Sequence, residues 1–339
     1  MLYSGIDQHK RTSVITTYDA DGTLVKRATL PNDRPRLRAY FRDLPAPHKA
    51  VVESTGAWYW LADTLADLGI ELCLGHAKRL KAISAAKVKT DKIDSNTLAL
   101  LLRADLIPVA HMIAPAKRGP RDLMRLRLRL VTKVISCENS LHRLLEKFNV
   151  PRLDALDELY QAQAACHQAQ ITLLEEQIAR LESALHATLL PNADVQRLLW
   201  IPGIGKINAL TIYTELDDIA RFPSVKHFLS YCRLVPGADN SGGKTRHRSG
   251  SKEGNRYLKL AFSHATVRAM QYYPEIRAFF KATAHRKPEK VARTLVAVEL
   301  ARIVYHVLWT GEPFNGRFKG QPLQRTKQLQ WPRLASPAA

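Results

Sequence analysis

YSGIDQHKRTSVITTYDADGTLVKRATL, residues 3–30, decides how the first part of this chain folds. Polar and apolar residues alternate through SGID, again through SVITTY and again through TLVKRATL, the period of a strand with one face on a core. DADG, residues 19–22, separates the last two runs and carries the Asp and Gly that a tight connection favours. The stretch therefore predicts a three-strand meander. Working outward, residues 33–43 have helical spacing, Lys49–Glu53 (KAVVE) suits a buried strand, and Ala57–Leu68 is again helical. Ile70–Leu74 (IELCL) predicts another strand, followed by helices over about 76–86 and 91–104. Three strands followed by alternating strands and helices indicate an α/β layered domain over residues 1–115.

Beyond Pro108 the periodicity changes. Leu123, Leu126, Leu130, Val134, Cys137, Leu141, Leu144 and Phe148 recur mostly at steps of three and four, and Ile171, Leu174, Ile178, Leu181 and Leu185 repeat the pattern. With a reversal near Pro151–Tyr160, residues 116–190 predict an antiparallel helical hairpin, either two core helices of a bundle or a protruding coiled coil. A third region, 191–312, opens with Trp200-Ile201-Pro202-Gly203-Ile204-Gly205-Lys206 ahead of an apolar helix over Ile207–Leu216. Glycines at such a turn and backbone N–H groups at the following helix start suit a phosphate. The pattern reads as a helix-hairpin-helix, with plain helix–turn–helix packing as the alternative. Helices continue to about Trp309, and 313–339 reads as a loosely ordered tail.

The chain has 339 residues, 51 Lys plus Arg against 31 Asp plus Glu, and a formal net charge of +20. That length exceeds what one hydrophobic core usually serves. No apolar run reaches the ~20 residues of a membrane span and the start lacks a signal-peptide core, so a cytoplasmic protein is expected. Four scattered cysteines, Cys73, Cys137, Cys166 and Cys232, argue against a disulfide scaffold or a Cys-x-x-Cys zinc site. The basic excess points to a nucleic acid, and it is unevenly placed. Residues 1–115 hold 16 basic and 12 acidic residues, 116–190 hold 11 and 9, and 191–339 hold 24 and 10. The last third thus carries a net of +14, which locates the expected phosphate contact there.

The nearly balanced first part keeps four carboxylates in telling places. Asp7 ends the first strand in Gly5-Ile6-Asp7, Glu53 ends KAVVE, and Asp91 and Asp94 open a helix at a spacing that puts both on one face. Carboxylates at strand ends and on a helix can converge on Mg²⁺, which prefers oxygen donors and can assist a phosphoryl displacement. Read singly, Asp7 suits a turn or cap, and Asp91 and Asp94 suit the positive end of a helix dipole, whereas Glu53 after Val-Val is less easily dismissed because an unpaired buried carboxylate is costly. Together they fit the ribonuclease-H-like arrangement of nucleases and recombinases.

In the basic region, Ser241 is followed by Gly242-Gly243-Lys244, with Arg246, Arg248, Lys252 and Arg256 close behind in a polar loop over 240–256. A serine that attacks a phosphodiester needs an accessible hydroxyl, a permissive backbone and positive charge. Ser249 and Ser251 meet the same description, so the residues alone leave three candidates, or a loop that only grips phosphates. Gly203, Gly205, Lys206, Lys244, Arg246, Arg248, Lys252 and Arg256 are the expected nucleic-acid contacts.

In their order along the chain these motifs resemble the DEDD transposases of insertion-sequence family one-ten. The likeness is carried by Gly5-Ile6-Asp7-x-x-Lys10, Glu53-Ser54-Thr55-Gly56 and Lys89-Thr90-Asp91-x-x-Asp94 with Ala99-Leu100 beyond. Later it is carried by Pro202-Gly203-Ile204-Gly205, Arg221-Phe222-Pro223-Ser224, Gly237 to Gly243 and Ser251-Lys252-x-Gly254-Asn255, so that it spans about residues 1–310. One departure is Ser95-Asn96, where the family often reads Asp-Ala. The resemblance implies a RuvC-like domain binding Mg²⁺ through Asp7, Glu53, Asp91 and Asp94, and a C-terminal domain whose Ser241 becomes covalently linked to DNA. It further implies a composite centre, dimers or tetramers, and a noncoding bridge RNA pairing with donor and target DNA. Two other functions compete with guided strand exchange: a metal-dependent junction nuclease that forms no serine adduct, and a non-catalytic nucleic-acid-binding protein.

Overall fold

The computed structural model describes residues 1–54, 57–83, 91–235, 237–241, 244–248 and 253–326, with the backbone alone over 91–93, 237–241 and 244–248. The chain forms two compact units, Met1–Ile113 and Ala114–Ala339, the helical hairpin belonging to the second.

In the first unit the meander forms as its alternation predicts. Strands β1 (Leu2–Gln8), β2 (Thr12–Tyr18) and β3 (Leu24–Pro31) pair antiparallel in sequence order. Helix α1 (Arg34–Arg42) starts where the Asp33 carboxylate accepts the Arg36 N–H at 2.7 Å, with a proline in the first turn. Strand β4 (His48–Glu53) then lies parallel to β1, and helix α2 (Tyr59–Ala66) crosses over to the parallel β5 (Glu71–Gly75). Helices α3 (Ala77–Ile83) and α4 (Asp91–Arg103) complete the unit, whose strand order is β3-β2-β1-β4-β5.

Strand pleating sorts the side chains onto two faces. Ile6, Ile15, Ala50 and Val52 join Leu37, Tyr40, Phe41, Leu61 and Leu65 of α1 and α2 in one core. Val51 turns the other way, to Leu80 of α3 and Leu98 of α4. The sheet is thus sandwiched between two helical layers. A buried polar chain crosses the first face: Ser4 Oγ lies 2.8 Å from His48 Nε2 and 2.5 Å from Thr17 Oγ1, which is 2.9 Å from the Tyr40 hydroxyl.

The second unit begins with helices α5 (Pro115–Phe148) and α6 (Glu158–Leu189), joined through a 3-10 turn at Leu153–Ala155. Arg127 to Glu182, Cys137 to Gln170 and Phe148 to Tyr160 all meet across the pair, so the helices run antiparallel. Leu144, Leu156 and Ala164 form a small separate core at the turn end. The main core gathers Met124, Leu185 and Leu189 with the helices that follow. These are α7 (Ala193–Leu199), α8 (Lys206–Leu216) and α9 (Val225–Tyr231), then α10 (Arg256–Tyr272), α11 (Pro274–Ala284) and α12 (Glu289–Thr310).

Two parts of this unit differ from their sequence reading. The stretch over 240–256, read as a loop, contains a ladder: β6 (Gly237–Ser241) pairs antiparallel with β7 (Lys244–Arg248). Its polar, glycine-bearing composition masked a hairpin signal, two extended runs separated by Gly-Gly. The tail, read as loosely ordered, is anchored as far as Thr326, whose N–H bonds to Tyr272 O at 3.0 Å. The reason is apolar: Phe318, in the short strand β8 (Arg317–Phe318) beside β9 (Gln321–Pro322), is 2% exposed, with its ring 5.5 Å from that of Phe279. No helix among the described residues is long and apolar enough to cross a membrane.

Candidate catalytic site

One close approach sets where α4 lies on the sheet of the first unit. A Cβ on Gly5 would stand well within 3.0 Å of Ser95 O and Ala99 N, so the backbone of α4 rests directly on β1 at that point. Gly5 and Asp7 are two residues apart and share the face of the sheet that α4 covers. Glu53 is two residues beyond Val51, which packs on the same face against Leu80 and Leu98. The parallel register ends at Ile6 opposite Val52, and Asp7 and Glu53 are the residues that follow these two along their strands.

The direction of α4 supplies the rest. Arg103, at its end, donates to Ala20 O at 3.1 Å in the β2–β3 connection, beside the start of β1 where Tyr3 pairs with Tyr18. Helix α4 therefore runs opposite to β1. Its N-terminus, with Asp91 and Asp94, lies toward the strand end that carries Asp7. Asp7 is 18% exposed and His9 Nε2 lies 3.2 Å from its Oδ2; Glu53 and Asp94 are half-buried. Among the described side chains, which exclude that of Asp91, no group of three His, Cys, Asp or Glu is placed to hold a metal ion. As donors, Asp7, Glu53 and Asp94 offer hard carboxylate oxygens, the chemistry a divalent cation such as Mg²⁺ selects.

The departure at Ser95-Asn96 has a structural use. Ser95 is fully buried with its Oγ 2.9 Å from Thr16 Oγ1, and Asn96 Oδ1 accepts from the Tyr18 hydroxyl and, at 3.2 Å, from Arg27 Nη2. Both residues tie α4 to β2 and β3 and so fix the helix that carries the acidic pair. Sequence reading did not single out His9, although its place two residues after Asp7, just beyond the end of β1, was the available signal.

In the second unit, Gly203 and Gly205 have separate jobs. Gly203 has φ +76° and faces α10, where a Cβ would collide with Ala265 O. Gly205 caps α8 with nothing near its missing Cβ, and Lys206 after it is exposed. Ser241 ends β6 opposite Lys244, Arg246 pairs with Asp239, and Arg248 pairs with Gly237. Arg256 opens α10, its guanidinium 4.9 Å from the centre of the Tyr257 ring. Gly242, Gly243, Ser249, Ser251 and Lys252 lie outside the described residues.

Comparison with known proteins covers both units. A DEDD transposase model of the IS110 family matches residues 4–150, and the model described as Transposase IS116/IS110/IS902 family matches residues 195–281. The chain is 27% identical to a "Probable family 20 transposase" of Pseudomonas aeruginosa over 332 residues, 90% of this chain and 96% of that protein. It is 25% identical to the "Transposase for insertion sequence element IS1328" of Yersinia enterocolitica, over 92% of this chain and 98% of the other. Over 150 residues, 43% of this chain and 46% of the relative, it is 30% identical to a "Pilin gene-inverting protein" of Moraxella bovis. With both family models matched in order and relatives aligned nearly end to end, the chain belongs to the IS110 family of insertion-sequence transposases.

Proposed function

We propose that this transposase cuts and exchanges DNA strands through a covalent phosphoserine on Ser241, assisted by Mg²⁺ on Asp7, Glu53, Asp91 and Asp94. The observation that carries the reading is the close approach at Gly5. One missing side chain seats α4 on β1 with its acidic N-terminus toward the end of β1 that carries Asp7, and Glu53 follows the last residue of β4 paired with β1. The fold of the first unit, a mixed sheet in the order β3-β2-β1-β4-β5 between helices, supports a RuvC-like assignment. The turn between α7 and α8, with Gly205 and Lys206 exposed at a helix start, supports backbone phosphate binding by a helix-hairpin-helix.

In the proposed step the Ser241 hydroxyl oxygen forms a bond to phosphorus as the bond from phosphorus to a DNA oxygen breaks; the serine gives its proton to solvent or a base, and the departing oxygen takes one from the same source and leaves as a hydroxyl. The phosphoester on serine retains the phosphodiester linkage, so attack by another strand's hydroxyl rejoins DNA and frees Ser241. Bound Mg²⁺ would supply charge stabilisation for the phosphoryl oxygens. Lys244, Arg246, Arg248, Lys252 and Arg256 would hold the DNA backbone near the serine. The gene-inverting relative, by its name, fits strand exchange better than simple hydrolysis. From the family resemblance we also infer a noncoding bridge RNA as guide, action as a dimer or tetramer, and a cytoplasmic setting.

The test is excision from a plasmid that carries the gene with its genomic flanks, in bacterial cells, with denatured extracts probed for protein-linked DNA. The reading expects Ser241→Ala to abolish both linkage and excision. An adduct persisting in that variant moves the nucleophile to Ser249 or Ser251, and cutting without any adduct favours a hydrolytic nuclease. Asp7→Asn is expected to stop cutting while leaving DNA binding. Full cutting by Asp7→Asn with magnesium present overturns the metal assignment.

A further inference from the structure

Leu234 and Gly254 flank the part of the chain that bears Ser241, and the residues at these two ends are tied together. The Asn255 N–H donates to Tyr231 O at 2.6 Å, and Arg233 Nε donates to Gly254 O at 2.8 Å. Asn255 then does two things at once. Its Oδ1 accepts the N–H groups of Tyr257 and Leu258 at 2.9 and 3.1 Å, capping α10, while its Nδ2 donates to Glu215 Oε2 at 2.7 Å.

Glu215 comes from α8, and its side chain is 1% exposed. Arg125 of α5 bonds it twice, Nε to Oε1 at 2.6 Å and Nη2 to Oε2 at 2.8 Å, and Arg121 Nε reaches Oε2 at 3.2 Å. Burial by itself would push this carboxyl up, yet the two guanidinium groups and the Asn255 amide hold it below the usual carboxylate range. Arg125 is in turn 4.7 Å from the centre of the Tyr257 ring. A buried ion pair is seldom the most stable way to fill a core, but breaking one by removing a partner is strongly disruptive. What such a cluster does well is to demand a single arrangement of the elements that contribute to it.

We propose that Glu215 and Asn255 are a positioning pair that locks the return point of the Ser241 segment onto α5 and α8, so that β6 and β7 keep one placement relative to the long helical hairpin. The proposal deepens the serine reading and rests on it for its functional consequence. Its structural half stands apart from that reading and can be measured alone.

The test combines backbone hydrogen exchange on the purified full-length chain with plasmid excision. Glu215→Gln is expected to speed exchange over residues 237–248 by about 10-fold or more, while amides inside α5, α8 and α10 change by less than about 3-fold. Excision is expected to fall by about 10-fold or more in the same variant. The exchanged pair Glu215→Gln/Asn255→Asp returns one carboxylate to the cluster and keeps a capping oxygen on α10. It is expected to restore both readouts to within about 3-fold of the parent. If Glu215→Gln does not fold, Asn255→Ser keeps the cap, removes only the amide donor, and must show the same local loss of protection. Unchanged protection over 237–248, or a loss spread evenly through the second unit, overturns the proposal. If Ser241→Ala still excises while Glu215→Gln loosens 237–248, the nucleophile assignment fails and the positioning pair stands.

Discussion

Gly5 of β1 and Ser95 of α4 are in backbone contact: the carbonyl oxygen of Ser95 occupies space that any side chain at position 5 would need. Ala99 N and Leu98 Cβ close the same space, so the helix cannot give way by a rotamer change. Gly5→Ala is therefore expected to push α4 off the sheet and destabilise the first unit by about 1–3 kcal/mol, the usual penalty of overpacking. Excision should fall in parallel because the helix that carries Asp91 and Asp94 loses its seat on β1. Thermal melts and the excision assay check this, and a fully active, equally stable Gly5→Ala chain would contradict the contact.

The turn between α7 and α8 offers an internal control. Gly203 combines φ +76° with a collision against Ala265 O, so Gly203→Ala should lose about 2–4 kcal/mol from left-handed strain and overpacking together. Gly205 has φ −89° and open space at its Cβ position, and Gly205→Ala should stay within about 1 kcal/mol of the parent. Any loss of nucleic-acid affinity in Gly205→Ala then reports the interface and not the fold. Denaturant midpoints paired with filter-binding affinities separate the two effects.

His48 gives the first unit an acid-sensitive point. Burial, helped by the charge of the chain's amino terminus, lowers its pKa from 6.5 to about 4. The folded state thus resists a proton that the unfolded chain accepts, so this contribution is complete above pH 6.5 and is lost as pH falls toward about 4. A displacement of that size corresponds to about 3 kcal/mol. Calorimetry between pH 7 and pH 4 should show the first unit's transition falling, and His48→Gln should flatten that dependence.

Glu215 sets a lower window for the second unit. Its carboxyl is held below the ordinary value of 4.5, so its contribution is present above that value and is lost as pH falls through the lowered one. Acidification from neutrality should accordingly weaken the first unit before the second. Glu215→Gln should remove the acid-side slope of the second transition, and an unaltered slope in that variant would mean the carboxylate is not charged in the folded chain.

The elements that carry the candidate site were readable because their signals are local. The alternation in residues 3–30 specified β1, β2 and β3, and the i, i+3 spacing of Asp91 and Asp94 placed both on one face of α4. The repeats from Leu123 onward specified two long helices. Less readable was anything whose partner is distant. Gly5 meets Ser95 across ninety positions of chain, and nothing near either residue names the other. Glu215 looked like one more helix residue until Arg121, Arg125 and Asn255 closed around it. The strands flanking Gly242-Gly243 were hidden by polar composition, since a two-strand ribbon need not show an apolar face.

By itself, then, the sequence determined the elements, the two-part organisation of charge and the family, because periodicity, turn residues and ordered motifs are properties of neighbouring residues. Tertiary structure alone decided which elements touch: that a missing Cβ at Gly5 seats α4, that Gly203 serves packing while Gly205 is left open, and that Glu215 and Asn255 hold the root of the Ser241 hairpin. Contacts of that kind depend on backbone approach and on the burial of charge, and both exist only once distant segments have met.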